Sequence, residues 1–580
     1  MHVPSKVAAA AAVAAASLLL WQPGAAQTAP GATCANVSST QTYDYIIIGS
    51  GAGGIPMADR LSEAGHSVLL VEKGPPSTGR WGGLMKPKWL AGTSLTRFDV
   101  PGLCNQIWAD PVGVSCTDVD QMAGCVLGGG TAVNAGLWWK PHYADWDTNF
   151  PAGWQSKDLA AATDRVFSRI PGTTTPSMDG KRYLSQGFDM LGGSLGAAGW
   201  KYIIPNDHPN EKNRTYGPST FMYSGGERGG PLATYLVSAS QRKTFTLWTN
   251  TVAKRVVRQG GHATGVELEC NGAGYAGVVS VTPGTGRVIL AAGAFGSAKL
   301  LFRSGIGPTD QLNNVKNSTD GPTMIGSDSW INLPVGYNLN DHVGTDIEIS
   351  HPDVVFYDYY GAWTKPITND TETYLANRTG PLAQAAPNIG PMFWEIITGA
   401  DGIQRHLHWQ SRVEGLTPTS MTVTQYLGTG SVSRGRMIIT KQLNTVVSVP
   451  PYLRNEHDKA AVIQGLVNLQ ESLKTVANLT WITPKANVTA AQFVASIPAT
   501  PSRRCSNHWI GTAKIGTDDG RTGGSAVVDL NTKVYGTDNI FVVDASIFPG
   551  MITGNPSAAI VIVSEHAAEK ILALPPPTAA

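Results

Sequence analysis

The chain of 580 residues is long for one compact core, so two domains or one large composite unit are expected. Its 43 Lys plus Arg against 42 Asp plus Glu leave a net charge near zero, with no basic run to follow a phosphate backbone, which excludes nucleic acid as a partner. Hydrophobic content of 42% is ordinary and charged content of 15% is low, while 66 glycines and 37 prolines point to a loop-rich fold.

At the N-terminus Lys6 precedes an apolar run, Val7 to Trp21, and then the small residues "PGAAQ". This is the pattern of an export signal cleaved after Ala26; a buried N-terminal helix is the competing reading. The run is too short to cross a hydrocarbon layer of about 30 Å, and no other apolar stretch approaches that length, so no membrane partner is expected. A secreted, extracellular protein follows. Sequons at Asn36, Asn213, Asn317, Asn369, Asn377, Asn478 and Asn487 fit that compartment and predict a glycoprotein. Cys34, Cys104, Cys116, Cys125, Cys270 and Cys505 lack CxxC spacing, so no metal site is expected. Disulfides fit an exported chain, but spacing does not fix their connectivity.

"YDYIIIGSGAGGIPMADRLSEAGHSVLLVEKG" predicts a strand, a glycine turn, a helix and a second strand. Tyr45 to Ile48 is a continuous apolar run, as in a parallel strand buried on both faces. Gly49, Ser50, Gly51, Ala52, Gly53 and Gly54 match G-x-G-x-x-G. The first glycine permits the turn, the second lets backbone approach a pyrophosphate, and the third lets helix and strand pack closely. The helix, burying Ile55, Ala58 and Leu61 and ending at Ala64-Gly65, presents free N–H groups to phosphate. Glu72, roughly 20 residues on, can accept hydrogen bonds from a ribose and disfavours a 2′-phosphate. A dinucleotide site is therefore predicted, with FAD and NAD not distinguished by this motif.

Three later stretches bear on that choice. "GCVLGGGTAVNAGLWW" (Gly124 to Trp139) carries Gly129, Gly130 and Asn134, and lets backbone lie against a flat ring system. "GAFGSAKLLFRSGIGP" follows the apolar strand "GRVILAA". "DNIFVVDASIFPGMITGNPSAAIVIVSEHAAEKIL" runs a strand into Asp544 and Ala545, then a turn with Asn555, then a closing helix. Between them, runs such as "MTVTQYL" and "GRMIIT" alternate as strands of one large sheet would. No internal repeat is evident, and Pro575 to Ala580 are expected to be disordered.

Together "GGGTAVN", "GAFGSAKLLFRSGIG" and "VGYNLNDH" resemble the signatures of the glucose-methanol-choline (GMC) oxidoreductase family across nearly the whole mature chain; Ala298 departs from the usual Pro or Ser. Within the family, "RFDVPGL", "AGCVLGGGTAVN", "WINLPVG" and "SNHWIG" are most similar to the flavodehydrogenase domain of cellobiose dehydrogenases, here expected without the haem domain. The resemblance implies an α/β, or α+β composite, fold: a Rossmann-like FAD domain from roughly 41–145, 225–325 and 505–575, and a discontinuous substrate domain from 146–224 and 326–504 on a large, mainly antiparallel sheet. It implies FAD, held non-covalently because Val133 stands where some members have a linking His.

The resemblance also places His508 as the base for the substrate hydroxyl and Asn555 as its hydrogen-bonding partner, a role that suits an imidazole titrating near pH 6.5. Of the twelve histidines, His342 and His566 are expected to be structural. Asn507 and Arg412 match sugar-contacting positions. Asn105 and Trp108 replace the family's Glu and Phe at the outer sugar ring, where Trp108 could stack on a pyranose; loss of the charged acceptor disfavours cellobiose itself. The function expected is oxidation of the anomeric C1 hydroxyl of an oligosaccharide or disaccharide to a lactone. The electron acceptor would be a quinone, dye, redox protein or O2, and a monomer is expected. The alternatives are an oxidase of a monosaccharide or alcohol using O2, and a non-catalytic carbohydrate-binding protein, which retention of His508 and Asn555 disfavours.

Overall fold

The computed structural model describes residues 33–38, 40–385 and 387–577; the expected export signal, 1–26, lies outside them. Five short strands form a parallel sheet in the order Ile540–Val542, Arg287–Leu290, Tyr45–Ile48, Val68–Val71 and Phe245–Trp248. The first four are buried at every position, which accounts for their unbroken Ile, Val and Leu runs: a strand covered on both faces has no polar side to show. The helix Gly54–Glu63 buries Ile55, Ala58 and Leu61 and packs beside the closing helix Ser557–Leu572. An antiparallel meander, Thr251–Gln259, His262–Cys270 and Gly274–Val281, is tied to the N-terminal strand by a Cys34–Cys270 disulfide.

A second sheet has seven strands in the order Thr480–Thr483, Val343–Ser350, Ser420–Leu427, Gln404–Arg412, Met392–Thr398, Thr215–Gly217 and Lys201–Tyr202. Every pairing is antiparallel except the last. Its register sets Trp394, His408 and Tyr426 abreast, then Gln410 beside Thr424, then Arg412 beside Thr422. Alternate residues share a face. The other face is covered by the helix Glu456–Leu473: a Cβ on Gly465 would fall 2.4 Å from Leu407 and from Gln425. Gln410, Arg412 and Tyr426 are thereby left to face the cavity that the glycine turn also lines.

Three expectations need correction or completion. "MTVTQYL" lies in the large sheet, but Arg436–Ile439 does not: it pairs with Thr445–Val449 in a separate hairpin, its ladder satisfied by the nearest strand in sequence. Pro575 is not loose, because Arg287 donates to the carbonyls of Leu574 and Pro575. The disulfides left open by spacing are Cys34–Cys270 and Cys116–Cys125.

Candidate active site

A continuous cavity of about 460 Å³ runs between the two sheets, from Glu72 and Ala253 at one end to His508 and Tyr426 at the other. Its first half is backbone. Gly49 turns with φ +101°, and a Cβ there would fall 2.4 Å from the Ala291 carbonyl. Gly53 and Gly54 are packed as tightly, their hypothetical Cβ atoms 2.1 Å from the Val543 carbonyl and 1.8 Å from that of Gly49. Gly51 and Gly130 differ: nothing lies within 4 Å of a Cβ on either, because both border the cavity. A Cβ on Gly129 would fall 3.2 Å from the Gly51 Cα, so the two glycine turns lie against each other. The helix beginning at Gly54 has no side-chain cap; Ile55 and Met57 donate to the Gly51 and Gly53 carbonyls and Pro56 has no N–H, so a phosphate would meet the N–H groups of the glycine turn that leads into the helix. The donors and space of this cradle fit the diphosphate of FAD.

The carboxylates here hold the cradle together. Glu72 accepts from the Ser50 N–H and hydroxyl with one oxygen and from Gly74 N–H with the other, while still lining the cavity. Asp544 accepts from Gly293 N–H (2.8 Å), the Ser297 hydroxyl and Ser546 N–H (2.7 Å), joining two chain segments beside Ala545. Burial raises its pKa, and those donors oppose the shift. Asn134 also borders the cavity, its amide donating to Ser557 and accepting from Gly136 and Arg228. Cys116, Asp118 and Cys125 form the single cluster of potential metal ligands among the described residues, but both sulfurs are in a disulfide and Asp118 is bridged by Lys73 and Lys299.

The second half of the cavity is built from side chains. His508 lies with Nε2 3.2 Å from Asn555 Nδ2 and Nδ1 3.1 Å from His342 Nδ1. Burial, with a smaller effect from His342, holds the His508 pKa well below its ordinary value; burial takes His342 down to about 4. Both rings are therefore neutral, and their tautomers follow. The Ile552 carbonyl, 2.7 Å from His342 Nε2, can only accept, so Nε2 carries the proton and Nδ1 is a lone pair. His508 Nδ1 must then donate, which leaves His508 Nε2 as the free base on the cavity side. The backbone N–H of His508 donates to Asp341, which also accepts from Ser506 N–H and the Tyr452 hydroxyl.

Asn507 lines the cavity with φ +56°, a conformation that costs energy for a non-glycine residue, and its Oδ1 is buried without a partner. Arg412 is half-buried, pairing with Glu414 at 2.8 Å. Asn105 and Trp108 line the outer part of the same cavity; Trp108 is 56% exposed, so one ring face is available at the rim. His566 is structural, as expected, hydrogen-bonding the Gly153 carbonyl against Trp154.

Four further residues complete the site. His342, expected to be structural, supports His508 directly. Gln410 and Asn388 line the cavity as a pair in which Gln410 Nε2 donates to Asn388 Oδ1, leaving Gln410 Oε1 buried and unpartnered. Trp139 donates its indole N–H to Asn555 Oδ1 at 2.8 Å. The histidine that closes "VGYNLNDH" was the available signal for the first; nothing in the pattern marked the others.

Comparison with known proteins places this geometry. Residues 43–344 match the N-terminal pattern of GMC oxidoreductases and residues 431–564 the C-terminal pattern. Among curated relatives, ecdysone oxidase of Spodoptera littoralis is 25% identical, over 93% of this chain and 92% of its own. Oxygen-dependent choline dehydrogenase of Photobacterium profundum is 27% identical, over 92% and 93%. Among solved structures, formate oxidase of Aspergillus oryzae superposes with a TM-score of 0.73 at 18% identity, over 93% of this chain and 99% of that one.

Proposed function

The chain belongs to the GMC oxidoreductase family, FAD-dependent enzymes acting on CH–OH donors, and from that premise we propose that its donor is a sugar oxidised at the anomeric C1 hydroxyl. One observation carries this. Beside His508 and Asn555 the cavity wall is made of neutral carboxamides, Asn105, Asn388, Gln410 and Asn507, and two of their oxygens, Gln410 Oε1 and Asn507 Oδ1, are buried acceptors with no donor. A buried acceptor left unpaired costs about 1–3 kcal/mol, which a ligand hydroxyl removes. A polyhydroxylated donor supplies several; a simple alcohol supplies one. Segment likeness to cellobiose dehydrogenases and the aromatic rim at Trp108 support a second ring, hence a β-linked disaccharide or short oligosaccharide.

FAD, when bound, supplies the hydride acceptor. His508 Nε2 takes the hydroxyl proton while Asn555 Nδ2 donates to the hydroxyl oxygen, and the lactone formed is opened by water to an aldonic acid. With Val133 in place of a linking histidine, the flavin is held without a covalent bond, so acid precipitation should release it from the polypeptide. The Cys34–Cys270 and Cys116–Cys125 disulfides support an extracellular location, and we take the protein to act as a monomer. The oxidase alternative gains support from the two relatives, one an oxidase and one oxygen-dependent. Anaerobic mixing with glucose, cellobiose, lactose, laminaribiose, xylobiose and benzyl alcohol, followed by reoxidation with a dye or O2, tests both points. Bleaching led by a disaccharide is expected; bleaching by benzyl alcohol alone would defeat the sugar assignment.

A further inference from the structure

Among the hydrogen bonds that join the segment after the glycine-rich turn to the C-terminal turn, one runs from Trp139 Nε1 to Asn555 Oδ1. Trp139 is 4% exposed, and its ring stands edge-on to Trp394 (5.5 Å, 83°) and to His408 (5.7 Å, 85°). A Cβ on Gly554 would fall 3.0 Å from its Cδ1, so glycine at that position lets the indole reach the amide. An indole N–H is a donor only, whereas a carboxamide has an acceptor end and a donor end. The indole therefore accepts just one orientation of Asn555. Turned over, the amide would set Nδ2 against the indole, donor against donor, and leave the N–H of the buried Trp139 without its acceptor.

We propose that Trp139 is a positioning residue for the oxidation: it locks the polarity of the Asn555 amide, so that a donor and never an acceptor faces the reacting hydroxyl. This rests on the roles of His508 and Asn555 given above, not on which sugar is oxidised. The hydroxyl proton leaves for His508 Nε2, and negative charge grows on the oxygen left behind. Nδ2–H, already 3.2 Å from Nε2, is placed to stabilise that charge. With the amide reversed, Oδ1 would compete with Nε2 for the one hydroxyl proton and then face the growing charge with its own lone pair. The Nε2 lone pair of His508 favours the same end of the amide, but once it takes the hydroxyl proton it becomes a donor and would attract Oδ1 instead. The indole N–H, a donor throughout, keeps the amide in place.

The test uses the FAD-loaded protein with Trp139→Phe and, separately, with 3-benzothienylalanine at position 139, which keeps the ring shape and replaces N–H by sulfur. Each is made with Asn555 and with Asn555→Ala. Anaerobic flavin reduction by the best wild-type donor should slow at least about 10-fold in both Trp139 variants at unchanged FAD content, against the 10²–10³-fold typical of removing such a donor outright. In the Asn555→Ala background the same changes should cost less than about twofold; contacting residues also couple through packing, so the benzothienylalanine pair, which keeps the ring shape, is the deciding one. An unchanged rate with benzothienylalanine, or an equal loss in both backgrounds, would overturn the proposal. Thermal unfolding of the same four proteins, with wild type and Asn555→Ala as references, gives a second readout that needs no substrate: coupled shifts in Tm with benzothienylalanine support the lock and additive shifts remove it, whereas a wild type bleached by no alcohol counts against the functional assignment instead.

Discussion

The two ends of the cavity are built by opposite means. At the nucleotide end the chain offers backbone and space: glycines at 49, 53 and 54 admit no Cβ, and those at 51 and 130 leave room for a ligand. At the hydroxyl end it offers side-chain atoms, His508, Asn555, Gln410 and Asn507, carried by segments far apart in sequence. A cofactor of fixed shape is met by steric exclusion encoded within a few residues, where any added carbon is fatal. Bond-breaking and substrate choice are met by donors and acceptors that only the tertiary fold assembles, where a substitution changes a rate or a preference and leaves the fold standing.

The largest effect should come from the first end. Gly54→Ala would place a Cβ 1.8 Å from the Gly49 carbonyl, so the strand–helix contact must open and the purified protein should contain no FAD and show no activity. Absorbance of the flavin per polypeptide checks this, and a yellow, active variant would break the contrast. At the other end His508→Ala should keep FAD but slow anaerobic flavin reduction by about 10²- to 10⁴-fold, the usual span for a general base. Near-normal bleaching would remove His508 from the mechanism. Gln410→Leu should sharpen the contrast further. It removes one acceptor, worth about 10-fold in kcat/KM at roughly 1.4 kcal/mol, for donors with several hydroxyls and little for benzyl alcohol. A uniform loss across donors would make Gln410 a packing residue.

The smallest effect is on pH. His508 acts in its unprotonated form, and burial, helped by His342, keeps its pKa well below the ordinary 6.5. A lowered pKa keeps the base available as pH falls through 6.5, so the acid limb of kcat/KM should lie below that value. A limb at or above 6.5 would mean that water reaches the imidazole.

The parts legible in the sequence are those encoded locally. A four-residue apolar run rich in β-branched Ile and closed by glycines predicts a doubly covered parallel strand, being too short for a buried helix, and Tyr45–Ile48 is one. "GRMIIT" alternates as a sheet strand does, but alternation says nothing about the partner, and Arg436–Ile439 found the nearer one. The residues that complete the hydroxyl end were invisible for a related reason. A tryptophan reads as packing, and the atom that receives the Trp139 N–H is 416 residues on; His342 meets His508 across 166. His508 and Asn555 were placed through family resemblance, since nothing in their own spacing singles out one histidine among twelve.

A sugar held at the second end with its anomeric carbon against the flavin must give up hydride from C1. Stopped-flow reduction of the bound flavin by cellobiose or laminaribiose, with and without deuterium at C1, reads that step. Reduction should be slower with the C1-deuterated sugar, with an aldonic acid as product in an amount equal to the flavin reduced. Equal rates for the two isotopologues together with oxidation at another carbon, or no bleaching by any sugar while a simple alcohol bleaches the flavin, would contradict that placement.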